Sequence, residues 1–472
     1  IYIYQIMKNK VQRHFSLFKT NKLLLLGAIT VLVCSSNALA QNNGNKLVSD
    51  NFDFAKRQMV HMLENIPQGE AKMPHSINGK GNTSCRSIYW WTSGFFPGIL
   101  WYINEYTGDK AFESFAKKWT EKLEPVKTFK GNHDIGFMMY CSFGNAYRLT
   151  QNEKYKDILI QSAYSLATRF NPQVGTIKSW DSWRSWENKH VFKYPVIIDN
   201  MMNLELLFWA SKATGDPSFR NIAISHAEKT MKYQIRKDGS SYHLACYDPE
   251  TGNFIKGETS QGYSNESTWS RGQGWGIYGF TLCYRETKDP RFLKTAQRMA
   301  DYYINHPNLP SDKIPWWDFD THRPGFIPGK FSKTNKYIQN YRDASAASVT
   351  ASALLELSSY VKDDKKKIYT ETALQILTSL SSPEYRAEEG KNGNFILKHS
   401  TGAIPHGSEV DVPLIYADYY FLEALLRYNR MINSFYTILH LFLQLYGSFK
   451  AYRYARPRVM GKVFVSYSLT GY

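Results

Sequence analysis

A short polar junction recurs along the chain and constrains the fold more than any other feature. It reads Tyr106-Thr107-Gly108-Asp109, Leu149-Thr150-Gln151-Asn152 and Thr214-Gly215-Asp216-Pro217. It returns as Thr287-Lys288-Asp289-Pro290 and Val361-Lys362-Asp363-Asp364. An apolar-periodic stretch precedes each junction and another follows. Phe219, Ile222, Ala223 and His226 keep helical spacing, as do Phe292, Thr295, Ala296 and Met299. A stop residue followed by Asp and often Pro joins the end of one helix to the start of the next. The periodicity predicts helices near 52–66, 91–106, 109–123, 134–148, 153–169, 199–213, 217–235, 271–287, 290–306, 342–360, 364–380 and 416–431. Short connections follow the even helices and long ones the odd helices. Antiparallel neighbours then place every tight turn at one end and every long loop at the other. Six such hairpins close into an all-α double ring, an (α/α)6 toroid with the more apolar even helices inside. An open solenoid is the alternative; hairpins of unequal loop length favour the closed ring.

Composition excludes several function classes. With 43% hydrophobic and 21% charged residues the 472-residue chain is too apolar for disorder and long enough for a large core. The net charge of +17 is concentrated at the ends. Residues 1–46 hold six Lys/Arg and residues 432–472 hold five, with no acid in either segment. No nucleic-acid motif or basic aromatic stripe accompanies the remainder, so a nucleic-acid partner is not expected. No run of 18 apolar residues predicts a membrane span. After Met7, a basic segment, the apolar run Leu23 to Val33 and Ala38-Leu39-Ala40 form a secretory signal pattern. The expected organisation is an upstream segment and signal over 1–40, a linker over 41–50, a catalytic domain over 51–432 and an atypical tail of unassigned role over 433–472. Export to the periplasm follows from the signal. Cys85, Cys141, Cys246 and Cys283 fit no metal spacing. Buried free thiols are expected at Cys141 and Cys283, with one disulfide left open. No metal or organic cofactor is called for.

The long loops feed the starts of the even helices, which therefore line one mouth of the ring. Trp91, His133-Asp134, Asp199-Asn200, Trp269, Arg271, Trp275 and Arg342-Asp343 stand there. Carboxylates and a guanidinium among indoles suit a carbohydrate, since rings stack on sugars and polar groups read hydroxyls. Each residue also has a plain structural use. Asp134 and Asp199 are good helix caps, worth about 1 kcal/mol each. His133 suits a buried imidazole, Arg271 an internal ion pair, and the indoles ordinary core. The clustering speaks for function: all 12 tryptophans fall between residues 90 and 317.

Tyr89-Trp90-Trp91-Thr92-Ser93-Gly94-Phe95, His133-Asp134-Ile135-Gly136-Phe137 and Asp199-Asn200-Met201-Met202-Asn203 resemble the unsaturated glucuronyl hydrolases, glycoside hydrolase family 88. So do Gln261-Gly262-Tyr263-Ser264 and Trp269-Ser270-Arg271-Gly272-Gln273-Gly274-Trp275-Gly276. The resemblance spans roughly residues 50–432, with separated motifs in order. It implies an (α/α)6 barrel that acts on lyase-generated oligosaccharides ending in a 4,5-unsaturated uronate. It gives Asp199 the acid/base role and Asp134 a supporting one. The acid must carry a proton; apolar Tyr194 to Ile198 and a nearby Asp134 charge supply that condition, with Asp134 expected to stay ionised. The resemblance further implies that His243 contacts the uronate ring and that Gln261 and Arg271 hold its carboxylate and hydroxyls. It places Trp91 and Trp275 in the pocket walls, and Trp183 becomes a candidate for stacking the leaving sugar. The family's Ser/Lys sulfate pattern does not align with Lys398 to Ser408; Lys398 and His406 are the candidates for a different anion site. Two rivals remain: an unsaturated rhamnogalacturonyl hydrolase acting on pectin, and a non-catalytic carbohydrate-binding toroid. The lack of a second acid after Asp199 favours the glucuronyl branch. Oligomeric state is not legible.

Overall fold

A computed structural model describes residues 42–69, 71–337 and 340–454, with side chains through 434. Twelve helical rods form among these residues. They are α1 (residues 42–65), α2 (Phe95–Thr107), α3 (Lys110–Glu121), α4 (Ile135–Met139) continuing through a π turn (Tyr140–Gly144) into α5 (Asn145–Thr150), and α6 (Glu153–Ala167). Next come α7 (Asn200–Thr214), α8 (Pro217–Tyr233), α9 (Ser270–Thr287), α10 (Pro290–Asn305), α11 (Ala344–Ser358), α12 (Asp363–Leu380) and α13 (Ile415–Tyr454). The chain divides into residues 1–428 and 429–472. The second unit contains the distal part of α13.

Tight turns hold the hairpins because their residues cap at both ends. Gly108 and Gly215 terminate α2 and α7 at φ of 70° and 77°, a region that glycine enters without steric cost. Asp109, Asn152, Asp216 and Asp289 then accept from the N–H two residues on, at 2.8, 3.0, 2.8 and 2.8 Å. Pro217 and Pro290 open α8 and α10 without a lost hydrogen bond.

The even-numbered rods make the inner wall of an all-α (α/α)6 toroid. α2 lies against the π turn and α5, α4 against α7, α7 against α9, and α9 against α11. The ring closes through α13, where Arg427 donates to the Ser352 carbonyl at 2.9 Å and the Tyr102 and Tyr419 hydroxyls meet at 2.8 Å. Inner rods are buried all round: α9 continuously from Ser270 to Cys283, α11 everywhere except Glu356. Outer α3 buries one face, with Phe112, Ala116, Trp119 and Thr120. Close packing of inner rods requires glycine at two places. A Cβ on Gly136 would stand 2.4 Å from Asn203 Oδ1, and one on Gly279 2.4 Å from Met201 Cβ.

The structure departs from the sequence reading in three respects. The expected linker 41–50 is helical from residue 42, so α1 begins earlier than predicted. Val48, in this segment, is buried as fully as Phe52, and that packing continues the helix. The second rod starts at Phe95, leaving Trp91 in the preceding turn. The long loops also carry short antiparallel strands: β1 (Lys72–Ile77) with β2 (Thr83–Ser87), β3 (Phe170–Asn171) with β4 (Thr176–Ile177), and β5 (Trp183–Arg184) with β6 (Val191–Phe192). A three-stranded sheet joins β7 (Tyr194–Ile197), β8 (Leu244–Tyr247) and β9 (Phe254–Glu258), pairing Ile197 with Leu244. One face of this sheet packs Val174, Tyr194, Val196, Ala245 and Tyr247; the other packs Trp183, Phe192, Ile197, Leu244 and Cys246. Cys141, Cys246 and Cys283 are free thiols. The leader expected over 1–40 lies outside the described residues, as do residues 455–472. Among the described residues no helix is long and apolar enough to cross a membrane.

Candidate active site

Asp134 and Asp199 occupy the residue before α4 and α7, where a carboxylate ordinarily caps the helix. Neither does: both backbones are already helical, and neither side chain accepts from the first turn. The carboxylates at the tight turns satisfy backbone N–H groups, whereas these two leave theirs to the pocket. Each residue is only 7% exposed. Asp134 Oδ1 lies 3.2 Å from His133 Nε2, and Asp199 Oδ2 lies 3.6 Å from His243 Nε2. Asp199 Oδ2 has no hydrogen-bond partner. Burial, and then the charge of Asp199, push the Asp134 carboxyl well above the usual carboxylate range, against a smaller opposing pull from Arg169. Beside Asp199, the Asp134 carboxyl therefore holds a proton more readily than an isolated carboxyl would.

The sheet positions Asp199 and His243 together. Asp199 follows β7 by two residues, and His243 immediately precedes β8. The Ile198 N–H donates to the His243 carbonyl at 2.9 Å. Backbone N–H groups of Ser260 and Gln261 both point at His243 Nδ1, at 2.9 and 3.3 Å. A nitrogen that accepts carries no proton, so in neutral His243 the proton sits on Nε2, facing Asp199. Trp269 holds the ring edge-on at 4.6 Å between centroids. The Gln261 amide lies beside the loop at Gly402, its Nε2 3.5 Å from that carbonyl.

Arg271 is anchored rather than open. Its Nη1 donates to Asp343 Oδ2 at 2.8 Å, Ser345 Oγ at 3.2 Å and the Thr401 carbonyl at 2.6 Å; Nη2 donates to the Gly402 carbonyl at 2.8 Å. Trp269 and Tyr416 sandwich it, and only Nε lacks a partner. The terminal nitrogens hold the 401–402 loop in place, because Asp343 and two carbonyls reach them first.

The indoles separate in the same way. Trp91 is half-buried against Tyr416 and Phe137, at 4.8 and 5.7 Å, and forms wall. Trp275 is fully buried between Phe137 and Tyr420. It is core beneath the pocket and presents no face to a sugar, a correction. Trp183 is also spent internally: it packs in the sheet, and its Nε1 donates to Glu258 Oε2 at 2.9 Å. Its neighbour Trp186, absent from the sequence candidates, instead faces His406 at 5.0 Å. His406 Nε2 lies 3.1 Å from Ser260 Oγ, beside the Gln261 loop. Lys398 does not join it, donating instead to the Pro383 carbonyl at 2.8 Å. Other contributors missed in the sequence are Asn200 and the His75–Glu409 pair, joined at 2.6 Å. Asn200 stood visibly next to Asp199; nothing local in the sequence links His75 to Glu409, 334 residues away. Among the described residues no group of three or more His, Cys, Asp or Glu is arranged to hold a metal ion.

Two buried carboxyls that feel each other's charge, each beside an imidazole, stand at the starts of neighbouring inner rods. The sequence profile of Glycosyl Hydrolase Family 88 matches residues 65–285. An unsaturated glucuronyl hydrolase of Formosa agariphila is 46% identical over 72% of this chain and 80% of its own length. The crystal structure of an unsaturated glucuronyl hydrolase specific for heparin superposes with a TM-score of 0.75 at 45% identity, covering 82% of this chain and 98% of that one. A second, the Bacillus sp. GL1 unsaturated glucuronyl hydrolase responsible for degradation of glycosaminoglycan, gives 0.71 at 31% identity over 82% and 97%.

Proposed function

Since the chain belongs to the unsaturated glucuronyl hydrolases of glycoside hydrolase family 88, we propose that it removes the 4,5-unsaturated uronate from the non-reducing end of lyase-generated glycosaminoglycan oligosaccharides, with Asp199 as acid and base. The observation that carries this reading is the uncapped, buried Asp134–Asp199 pair, in which burial and the neighbouring charge raise the Asp134 carboxyl. The substrate is a vinyl ether. The pair's proton passes from Asp134 to Asp199, and Asp199 delivers it to C4. The C4–C5 π electrons form the new C–H bond, leaving an oxocarbenium-like centre at C5. Ionised Asp134 then faces that cation. Asp199, now a carboxylate, takes a proton from water as its oxygen bonds to C5. The resulting hemiketal opens and releases the leaving sugar. The bond broken is not displaced at the anomeric carbon, so carboxylate spacing does not sort the enzyme as retaining or inverting.

Trp91 supplies an aromatic wall, His243 and Gln261 polar contacts, and Trp186 with His406 the side nearest the leaving sugar. The signal pattern over 1–40 supports export to the periplasm. The experiment follows the ultraviolet absorbance of the double bond with unsaturated chondroitin, hyaluronan, heparin and rhamnogalacturonan disaccharides. Loss with the glycosaminoglycan set supports the proposal. Loss only with rhamnogalacturonan transfers the enzyme to pectin, and binding without loss makes it a carbohydrate-binding toroid.

A further inference from the structure

Asp318 has no place in the proton transfers above, yet it is fully buried against the loop that carries Gln261. Its Oδ2 accepts from the Tyr263 N–H at 2.8 Å and from the Ser267 hydroxyl at 2.7 Å; its Oδ1 accepts from the Asp320 N–H at 2.9 Å. Among the described residues no Lys or Arg pairs with it, so the charge is spent on these three donors. Thr259 closes the same loop from within: its Oγ1 accepts from the Gly262 N–H at 2.7 Å, and its own N–H donates to Asn265 Oδ1 at 2.9 Å. The fit leaves no room at the turn. A Cβ on Gly262 would stand 2.6 Å from Thr259 Oγ1 and 3.1 Å from Asp318 Oδ2. At its other side the turn gives the Ser260 and Gln261 N–H groups to His243 Nδ1, at 2.9 and 3.3 Å. Residues 260–263 are thus held between the Asp318 carboxylate and the His243 ring. The neighbouring Asp320 serves a different point. It accepts from the Thr268 N–H at 3.0 Å and from Arg323 at 2.9 Å, past the turn.

We infer that Asp318 is a positioning residue of the reaction: it fixes the turn 260–263 so that two backbone N–H groups meet His243 Nδ1, which keeps the proton of neutral His243 on Nε2 and sets Gln261 beside it. The inference rests on the proposed function where it makes His243 and Gln261 contacts of the substrate; the tautomer rests on the hydrogen bonds alone. An imidazole nitrogen that accepts two N–H groups carries no proton, and the other nitrogen takes it. Without the carboxylate, the Tyr263 N–H and the Ser267 hydroxyl lose a buried acceptor and the turn moves to satisfy them elsewhere. His243 Nδ1 then loses its donors, and both tautomers become populated. Substrate is held less well, while the Asp134–Asp199 pair keeps its chemistry.

The test reads the His243 tautomer in the free enzyme by nitrogen-15 NMR of labelled histidine, the His243 signals being those lost in His243→Gln. It is run at pH 8, above the value of about 7 to which burial, and then the Asp320 charge, raise Asp318. KM and kcat on an unsaturated disaccharide accompany it. Wild type shows the Nε2–H tautomer. Asp318→Ala shows both tautomers, raises KM by about tenfold and leaves kcat within about threefold. Asp320→Ala is the control for general loosening: it lowers stability in urea unfolding and keeps the wild-type tautomer and KM. Gly262→Ala keeps every hydrogen-bonding side chain but forces the turn off Asp318 and Thr259; it reproduces Asp318→Ala and decides the matter if that variant fails to fold. A wild-type tautomer and KM in folded Asp318→Ala, or in Gly262→Ala where Asp318→Ala does not fold, overturns the inference. Equal changes in Asp318→Ala and Asp320→Ala overturn it as well. A wild type that turns over no unsaturated disaccharide removes the proposed function instead, and the tautomer of the free enzyme still decides whether Asp318 sets His243.

Discussion

Apart from the Arg271–Asp343 pair, the two ends of the inner ring treat buried carboxylates in opposite ways. At the tight-turn end every carboxylate of the interior has cationic or hydroxyl partners. Arg285 bonds Glu205 and reaches Glu356 at 2.9 Å; Arg427 reaches Glu356 at 2.8 Å and the Tyr278 hydroxyl at 2.8 Å. Glu423 accepts from Tyr102 and Tyr278, both at 3.1 Å, and from Ser352. At the loop end Asp134 and Asp199 face imidazoles at 3.2 and 3.6 Å, and among the described residues neither pairs with Lys or Arg. The same rods, α7, α9, α11 and α13, build both ends. A buried charge that is paired holds the ring closed. One that is left unpaired raises free energy and retains a proton, the state an acid/base catalyst needs.

The largest effect separates the ends outright. Asp199→Asn lowers kcat by about 10³-fold or more while leaving the fold intact, as measured by double-bond absorbance and circular dichroism. The mirror experiment, Arg427→Met, takes the cation from Glu423, leaving it hydroxyl donors alone, and takes one of two cations from Glu356. It costs about 3–5 kcal/mol in urea unfolding with little change in kcat of the folded fraction. If Arg427→Met spared stability and lost turnover, the contrast between the ends would collapse.

A pH-dependent effect of intermediate size sharpens the comparison. The folded state raises Asp134, so folding favours its protonated form and is opposed by its ionisation. Stability gained through this group appears as pH falls through the folded value and is lost as pH rises past it. Asp134→Asn is therefore more stable than wild type at pH 8, and the advantage fades as pH falls toward ordinary carboxylate values. Asp318 and Asp418 act likewise, burial pushing them to about 7 and about 8. Through these groups wild-type stability declines from about pH 4 to about pH 8, between their ordinary and folded values, which denaturant unfolding across that range measures. The smallest effect comes from the tight turns. Asp216→Ala or Asp289→Ala costs about 1 kcal/mol and leaves kcat unchanged, since these carboxylates cap helices.

Periodic burial and capped turns write themselves into local sequence, which is why the hairpins and the alternation of short and long connections were legible. The (α/α)6 ring followed from them. The strands were not, because two- to six-residue strands inside long loops carry too little alternation to distinguish Tyr194–Ile197 from any apolar segment. Asp134 and Asp199 could be found as residues, but not as uncapped ones. The sequence Asp-Asn-Met-Met reads as a helix start whether or not the carboxylate turns back to the backbone. Arg271, Trp275 and Trp183 show the limit of motif reading. Their spacing is right, yet Asp343, Phe137 and Glu258 claim them from distant parts of the chain. Trp186 was passed over because nothing near it in sequence announces His406, which arrives 220 residues later.

Carboxyl-labelled aspartate, followed by carbon NMR from pH 4 to pH 9 in the free enzyme, tests whether this pocket keeps a proton. One resonance, missing from Asp134→Asn, should remain in the protonated form at neutral pH, and its titration should move down in Asp199→Asn as the neighbouring charge disappears. A spectrum in which the Asp134 resonance titrates near 4, unmoved by the Asp199 substitution, would contradict the account.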